Sequence, residues 1–394
     1  MTSLSIDRRV RIPDRVRLER YRRSPDLGPA ILFFSGGTAL RETSRRLVAY
    51  THNSIHLITP FDSGGSSAEL RRAFAMPAIG DIRNRLMALA DQSLLGNPAI
   101  FRLFAHRFPK DGHYEILVDE LRAMAAGEHS LVAEIVDPMR KIIRRSLETF
   151  LQRMPRGFRL QGASIGNLIL AAGYLENGGH LDPVIYLFSM LVQVRGTVRA
   201  VVNSDLDLVA ELENGERIVG QHLLTGKEAG PISSPVRDIY LADKAGNRAE
   251  VEIRDKIRAL IDGADLICYP MGSFYSSLVA PILPRGVGRA VGANPCPKVF
   301  VPGTVPDPEC PGMSVEDQVR ELLRYLKQDD EGLSNDAVLK YVLLDTRAGR
   351  YQGKVERLRL HQHGVMAIDA SLVSPESSPF IDPGLLTEAL LSLT

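Results

Sequence analysis

The residues best suited to chemistry follow a short apolar stretch, where Ser35, Gly36, Gly37 and Thr38 come directly after Ile31–Phe34. A helical pattern begins at once after them. A strand, a glycine turn and a helix in this order make an anion site, because the glycines let backbone N–H groups approach a phosphate and the helix start adds partial positive charge. The motif is neither G-x-G-x-x-G nor the P-loop pattern. Phosphate binding and a purely geometric turn therefore both stay open at this point.

A second polar loop, Phe61–Ser67, follows the predicted buried strand Ser54–Pro60. Asp62 would hold a ribose hydroxyl or a metal, and the serines of the loop would donate hydrogen bonds to phosphate oxygens. The alternative is an Asx-turn followed by a helix that Ser67 caps. Both interpretations can hold together.

Three further stretches place polar side chains at predicted helix starts. An acid such as Asp81 is stabilised there by the helix dipole whatever its function. Asn167 is polar within an apolar helix that Ser164 opens, and it either satisfies backbone groups or donates to a ligand. The segment Pro270–Ser277 follows the predicted strand Asp265–Tyr269, and this second strand–glycine–helix turn is able to meet a phosphate or carboxylate.

Alternating strand and helix patterns must position these residues. Further strands are predicted at Lys298–Val301, Tyr341–Asp345 and Gly364–Ile368, and further helices at Asp255–Ile261, Val315–Leu326 and Pro383–Leu393. This alternation predicts a doubly wound α/β fold. Short strands are predicted between Val198 and Leu212, and the turn signal Asn214–Gly215 with a returning strand at Glu216–Gly220 predicts a hairpin. We interpret residues 1–394 as one domain in which 92–160 form a mainly helical insertion that covers the sheet edge or the site.

The net charge, the cysteine content and the distribution of apolar residues argue against some classes of function. A net charge of +1 over 394 residues argues against a bulk electrostatic grip on nucleic acid or a membrane. Cys268, Cys296 and Cys310 form no metal-ligand or disulfide pattern, which favours a reducing compartment and a cytoplasmic protein. We find no apolar run of about 18 residues and expect no transmembrane helix. We interpret Arg8–Arg23 as a solvated leading segment rather than a targeting peptide.

Four stretches, in this order, resemble the CofD-like family, which includes the 2-phospho-L-lactate transferases of deazaflavin coenzyme synthesis and bacterial gluconeogenesis factors that bind nucleotide sugars. They are Ser35–Thr38, Asp62–Ser67, Gly80–Asn84 and Gly166–Leu168, and Gly272–Ser277 is similar to the family's late glycine-serine turn. The resemblance implies a Rossmann-like, mostly parallel sheet with helices on both faces. It also implies a nucleoside diphosphate-linked ligand near the glycine turns.

The resemblance implies specific site residues. Asp81 and Asp62 would be catalytic and would bind a divalent metal, Mg²⁺. The residues implied to bind the nucleotide are Ser35, Gly36, Gly37, Thr38, Gly64, Gly65, Ser66, Asn84, Gly166, Asn167, Gly272 and Ser273. Arg83 would neutralise developing charge, although an arginine is more commonly part of a structural ion pair.

The chain also departs from the family pattern. Ala39 replaces the glycine that usually closes the first turn, Ser63 stands where the regulator branch has a second aspartate, and Ala163 stands where that branch often has histidine. The helical segment after Asp91 and the loop Pro302–Pro311 match neither branch. We therefore interpret the chain as a divergent third branch.

Three functions remain as alternatives. A transferase would move a 2-phospho-L-lactate-type group from a nucleoside-diphosphate-linked donor to an acceptor hydroxyl and release the nucleoside monophosphate. A regulator would bind a nucleotide or nucleotide sugar without turnover, and a scaffold would keep only a vestigial pocket. The resemblance suggests a homodimer. The base, the donor tail and the acceptor stay open.

Overall fold

The structure is a computed structural model that describes residues 9–93, 96–225, 230 and 232–394. Its strands, numbered in chain order, are β1 Ile31–Ser35, β2 Ile55–Ile58, β3 Thr197–Ala200, β4 Asp207–Leu212, β5 Arg217–Val219, β6 Val236–Ala242, β7 Leu266–Tyr269, β8 Lys298–Phe300, β9 Tyr341–Leu344 and β10 Met366–Asp369. These bounds agree closely with the predicted strands, except that β6 was not predicted.

The helices lie between and around these strands. In chain order they are α1 Arg15–Arg23, α2 Arg41–Leu47, α3 Gly65–Phe74, α4 Gly80–Leu89, α5 Pro98–Ala105, α6 Tyr114–Ala126, α7 Ser130–Ala133, α8 Met139–Arg153, α9 Ile165–Glu176, α10 Leu181–Leu191, α11 Gln221–Leu224, α12 Asp255–Asp262, α13 Val287–Ala293, α14 Val315–Leu326, α15 Asn335–Val338, α16 Arg357–Gln362 and α17 Pro383–Ser392. A π-helical segment, Phe274–Val279, follows β7.

Seven strands form a parallel sheet in the order β10-β9-β8-β7-β1-β2-β3. β1 pairs with β2 on one side and with β7 on the other, where Leu32 lies opposite Ile267. The strand order therefore reverses between β1 and β7, and ligands bind at such a switch point, outside the carboxyl ends of the strands. The predicted doubly wound α/β fold is confirmed, and both predicted glycine turns follow the two strands at its switch point.

Successive residues of β1 pack on opposite faces of the sheet. Leu32 and Phe34 join one core, which also contains Ile257 of α12, whereas Ile31 and Phe33 join another, which contains Leu386 of α17. All residues of β1 are buried, because helices cover both faces of the parallel sheet. This explains why β1 is a continuous apolar run in the sequence.

Helices α5 to α8 fall within the predicted insertion at 92–160. Their apolar faces form one core with α9 and α10, and Ile58 and Val198 of the parallel sheet join that core. The segment 92–160 is mainly helical over its described residues. That it is an insertion, and that the whole chain is a single domain, stay predictions.

A separate antiparallel sheet has the order β5-β4-β6. Val209 pairs with Val219 across the predicted Asn214–Gly215 turn, so the hairpin is confirmed. The sheet matters for the site because α11 follows β5 directly.

The N-terminal segment differs from the expected solvated leader over its described part. Residues 15–23 form α1, whose Leu18 is buried, and the backbone N–H of Asp14 donates to Ser392 Oγ at 2.8 Å. Leu18, with the partly buried Ile12 and Tyr21, packs into the core that contains Leu386 of α17 and so docks this helix. Among the described residues, no helix is both long enough and apolar enough to cross a membrane.

Candidate functional site

A cavity of about 500 Å³ opens at the carboxyl ends of β1 and β7. Both glycine turns line it, together with the loop after β2 and the start of α4. The predicted residues that line it are Ser35, Gly36, Gly37, Thr38, Asp62, Gly64, Gly65, Ser66, Asp81, Asn84, Asn167, Gly272 and Ser273. Segments far apart in the chain thus meet around one space, as the sequence predicted.

The carboxylate of Asp81 lies directly against the first glycine turn. A Cβ atom added to Gly37 would stand 2.2 Å from Asp81 Oδ1, and one added to Gly36 would stand 2.8 Å from Ser277 Oγ and 3.2 Å from Asp81 Oδ2. Neither glycine has a positive φ. An added Cβ at Gly37 would also stand 3.1 Å from Asp81 Cα, so lack of space rather than backbone conformation requires glycine there. At Gly36 the nearest atom is the rotatable Ser277 Oγ, so the constraint is weaker.

A buried arginine donates hydrogen bonds to this turn. Arg85 is fully buried in α4, and its guanidinium donates to the carbonyl oxygen of Gly36 at 2.9 Å, to Ser35 Oγ at 3.3 Å and to Ser44 Oγ. Burial lowers the pKa of Arg85 to about 10, and the nearby Asp81 carboxylate opposes that shift. Sequence reasoning missed Arg85, although its position four residues after Asp81 on one helix was a usable signal.

Asp62 closes an Asx-turn at the second loop. Its Oδ1 accepts the backbone N–H of Gly64 at 3.0 Å, and burial raises its pKa although Gly64, Ser67 and Arg71 favour the charged form. The expected cap at Ser67 is wrong, because α3 starts at Gly65. Ser67 instead packs against Gly80, where an added Cβ would stand 2.5 Å from Ser67 Oγ.

Asp62 and Asp81 are the metal candidates of the cavity. An added Cβ at Gly80 would stand 3.7 Å from Asp62 Oδ2, so Asp62 lies beside the start of the helix that carries Asp81. Within the described ranges, no cluster of three or more histidine, cysteine or acidic side chains could hold an ion. Mg²⁺ in phosphate-transfer sites takes one or two carboxylates together with substrate phosphates. The donor set therefore fits Mg²⁺ only in company with a phosphate ligand.

The opposite wall comes from α11, which the sequence analysis did not connect with the site. Gln221, His222 and Thr225 line the cavity there. His222 Nδ1 lies 2.7 Å from Ser63 Oγ. Gln221 is buried, and its Oε1 has no hydrogen-bond partner among the described residues. This wall therefore presents amide, imidazole and hydroxyl groups to a ligand.

Asn167 presents another unsatisfied amide. It is 1% exposed, its Nδ2 donates to Ser66 Oγ at 3.0 Å, and its Oδ1 is without a partner within the described part of the chain. Gly166, which the family resemblance also implied, is not among the residues that line the cavity. A Cβ there would stand 2.8 Å from the carbonyl oxygen of Phe104 and 2.9 Å from Arg83 Cδ, so Gly166 allows both groups to approach α9 closely.

Arg83 lines the cavity beside Arg107, which comes from the predicted insertion. Burial lowers the pKa of Arg83 to about 10, the positive charges of Arg107 and Arg41 add to the shift, and Asp81 opposes it. Arg41 is paired with Glu42 at 3.4 Å and does not line the cavity, so two guanidinium groups, those of Arg83 and Arg107, lie in this wall near the Asp81 carboxylate.

The second glycine turn differs from what its sequence predicted. Gly272 lines the cavity with φ +151°, which favours glycine. However, the N–H of Phe274 donates to Asp307 at 2.6 Å, and the N–H groups of Tyr275 and Ser276 donate to Glu309 at 2.9 and 2.8 Å. The turn does meet carboxylates, but they belong to the chain itself. These three amides are therefore not open to a phosphate.

Comparisons with known proteins agree with this geometry. A family model described as 2-phospho-L-lactate transferase CofD matches residues 31–378. A gluconeogenesis factor of Bacillus subtilis is 27% identical over 299 residues, 76% of this chain and 75% of that protein. A gluconeogenesis factor of Halalkalibacterium halodurans is 24% identical over 347 residues, 87% of this chain and 88% of that protein.

A crystal structure of protein BH3568 from Bacillus halodurans has the same fold, with a TM-score of 0.67 and 20% identity, and the match covers 92% of this chain and 99% of that one. The family match begins at β1 and extends past the second glycine turn, so it includes the segments that enclose the cavity. The chain matches the family model over most of its length, and the matched segments meet at one switch point of the sheet. It therefore belongs to the CofD family.

Proposed function

We propose that the chain is a CofD-like transferase that moves a phosphoryl-linked group, of the 2-phospho-L-lactate type, from a nucleoside-diphosphate-linked donor to an acceptor hydroxyl. The observation that carries the proposal is the carboxylate of Asp81 against the Gly36–Gly37 turn, at the switch point of the sheet. A carboxylate at that position repels a bare phosphate, because like charges a few ångströms apart disfavour each other. A cation between the two groups turns this repulsion into a metal site.

The donor's diphosphate would bind along the first turn. Ser35, Gly36, Gly37 and Thr38 follow β1 there, and Ser66 and Asn84 offer side-chain groups from two neighbouring elements. The amide oxygens of Asn167 and Gln221 have no partner in the described part of the chain, which supports a ligand that brings hydrogen-bond donors, because buried polar atoms without partners are costly. Hydroxyl groups of a ribose or the edge of a nucleobase supply such donors.

Asp81 and Asp62 would hold Mg²⁺ together with the phosphate oxygens. When bound, the ion supplies charge neutralisation at the phosphoryl group that is transferred. The acceptor hydroxyl attacks phosphorus, the bond from phosphorus to the nucleoside monophosphate breaks, and the hydroxyl proton passes to solvent. Arg83 stabilises the negative charge that the leaving group gains.

Replacing Asp81 by Asn tests the proposal. The variant D81N keeps the size of the side chain and removes its charge. We expect release of nucleoside monophosphate to fall about a hundredfold or more. We also expect nucleoside diphosphate to bind without Mg²⁺ at least as tightly as in the wild type, since the repulsion is gone. D119N is the control, because Asp119 is an exposed acid on α6 paired with Arg122.

Product analysis and calorimetry with guanosine- and uridine-linked ligands provide the two measurements. Unchanged turnover in D81N contradicts the catalytic assignment. The gluconeogenesis-factor names of the relatives support a second candidate, a regulator that binds a nucleotide or nucleotide sugar without turnover. Metal-independent binding with no product in the wild type favours the regulator.

We also propose the class of partner, the compartment and the oligomeric state of the protein. The net charge of +1 supports small-molecule rather than nucleic-acid or membrane partners. We propose a cytoplasmic homodimer. Light scattering on the purified chain tests the dimer, since a monomeric mass at micromolar concentration contradicts it.

A further inference from the structure

A buried arginine behind the cavity contacts the backbone of the loop that carries Asp62. Arg71 belongs to α3, and its side chain is almost fully buried. Its Nη1 donates to the carbonyl oxygens of Phe61 and Asp62, at 3.4 and 3.3 Å. Arg71 is not among the residues that line the cavity, whereas Asp62 is. The arginine therefore contacts the backbone of a candidate metal ligand without entering the site itself.

The rest of the same guanidinium group contacts the segment that leads into β4. Arg71 Nε and Nη2 donate to Asp205 Oδ1 at 2.9 and 2.7 Å. Nη2 also donates to the carbonyl oxygen of Leu206 and to Asp207 Oδ1, both at 2.8 Å. Each of the three guanidinium nitrogens therefore has an acceptor, and the planar fork joins the loop after β2 to the antiparallel sheet.

The charges of this network balance. Lys244 Nζ lies 3.0 Å from Asp205 Oδ1 and 3.2 Å from Asp207 Oδ2, so two cations face two carboxylates. Lys244 is half exposed, whereas Arg71 is the buried member of the network. A buried polar network whose members are paired and hydrogen-bonded holds one geometry. Arg71 is therefore suited to fix the position of the groups that it contacts.

The antiparallel sheet also carries the α11 wall of the cavity. Gly220, which precedes α11, donates its N–H to the carbonyl oxygen of Leu208 in β4 at 2.8 Å. His222 of α11 lies 2.7 Å from Ser63 Oγ in the loop after β2. The loop and the wall are therefore connected twice, through Ser63 beside the cavity and through Arg71 behind it.

We propose that Arg71 is a positioning residue that fixes the Asp62 carboxylate relative to the α11 wall, in the geometry that binds the metal and the diphosphate. The proposal rests on the proposed function, which assigns Asp62 to Mg²⁺ and the phosphate oxygens. Groups that orient a metal ligand matter for affinity, and replacing one typically lowers metal affinity by about 10- to 100-fold. Arg71 acts through Asp62 and does not itself contact the ligand.

Hydrogen exchange in the ligand-free protein tests the positioning without any metal. Arg71→Met keeps a side chain of similar length and removes the guanidinium group. We expect the backbone amides of residues 61–67 to exchange about tenfold faster in this variant, because the loop loses its hydrogen bonds to the arginine. Arg72→Met is the matched control, because Arg72 is the next residue of α3 but is exposed and paired with Glu69. We expect it to leave the exchange unchanged.

Calorimetry with GDP and UDP, with and without Mg²⁺, separates positioning from a general structural role. We expect the gain in affinity that Mg²⁺ brings to fall about tenfold in R71M, and the affinity without Mg²⁺ to change by less than about twofold. R71K restores part of the gain, because the charge remains and the planar fork is lost. Lys244→Met keeps the gain, because the ion pairs of Lys244 are with the two acids of the network.

The outcomes separate this proposal from the proposed function. Unchanged exchange in residues 61–67 of a folded R71M protein overturns the positioning role, and R71K takes its place in both measurements if R71M does not fold. Equal losses of affinity with and without Mg²⁺ show a merely structural role and overturn the proposal as well. If the wild type binds neither GDP nor UDP, the proposed function fails, and the role of Arg71 toward a ligand fails with it, whereas faster exchange in R71M would still show that Arg71 fixes the loop.

Discussion

The two glycine turns at the switch point have similar sequences and different surroundings. After β1, Gly36 and Gly37 are pressed against the carboxylate of Asp81, and their turn lines the cavity. After β7, the three amides that begin the π-helical segment donate to Asp307 and Glu309. A strand–glycine–helix pattern therefore indicates a place where an anion fits, and the tertiary structure decides whether a ligand or the protein's own carboxylate occupies it.

The largest expected effect is at the first turn, in Gly37→Ala. Its Cβ would stand 2.2 Å from Asp81 Oδ1, so Asp81 must move out of the turn. We expect nucleoside diphosphate affinity, measured by calorimetry in Mg²⁺, to fall about a hundredfold or more. Gly303→Ala is the control outside this cavity, because its Cβ would have only an ordinary contact, with the carbonyl oxygen of Val305 at 3.5 Å. A G37A protein that binds like the wild type would show that the position of Asp81 is unimportant.

At the second turn, we expect a substitution to lower the stability of the protein. Glu309→Ala leaves the N–H groups of Tyr275 and Ser276 and the hydroxyl of Ser276 without their acceptor in a buried site. We expect the free energy of unfolding to fall by about 2 to 3 kcal/mol in urea denaturation. Glu331→Ala, an exposed position, is expected to change it by less than about 0.5 kcal/mol. A stable E309A protein would mean that water or another group replaces the carboxylate.

A smaller expected effect is a pH dependence of the protein's stability that arises from Glu309 at the second turn. Burial, with the neighbouring Asp307 charge, raises the pKa of Glu309 to about 8 from an ordinary value of 4.5. The folded protein then keeps a proton that the unfolded chain releases, so this contribution to stability is full below about pH 4.5 and is lost as pH rises toward 8. Thermal unfolding should show this decline in the wild type and a weaker one in Glu309→Gln. Parallel pH curves for the two proteins would contradict it.

The first turn could be predicted from the sequence, whereas the surroundings of the second turn could not. The apolar run of β1 and the turn after it are local patterns that were recognised from neighbouring residues, whereas the role assigned to Asp81 came from the family resemblance. The same reasoning treated Pro270–Ser277 as equivalent to the first turn, because Asp307 and Glu309 lie more than 30 residues later and no local pattern connects them. Arg107 and His222 were missed for the same reason, since each reaches the cavity from an element that carries no site motif.

The sequence by itself determined the alternating strands and helices, the order of the glycine turns and the family resemblance, because hydrophobic periodicity and turn chemistry act over a few residues. Only the tertiary structure decided that Gly37 is needed for space, that Gly166 lets the Phe104 carbonyl and Arg83 approach closely, and that the amides of the second turn already have acceptors. These depend on atoms brought within 4 Å by packing between distant segments. Such contacts are a property of the assembled sheet and its switch point, which no short stretch of sequence contains.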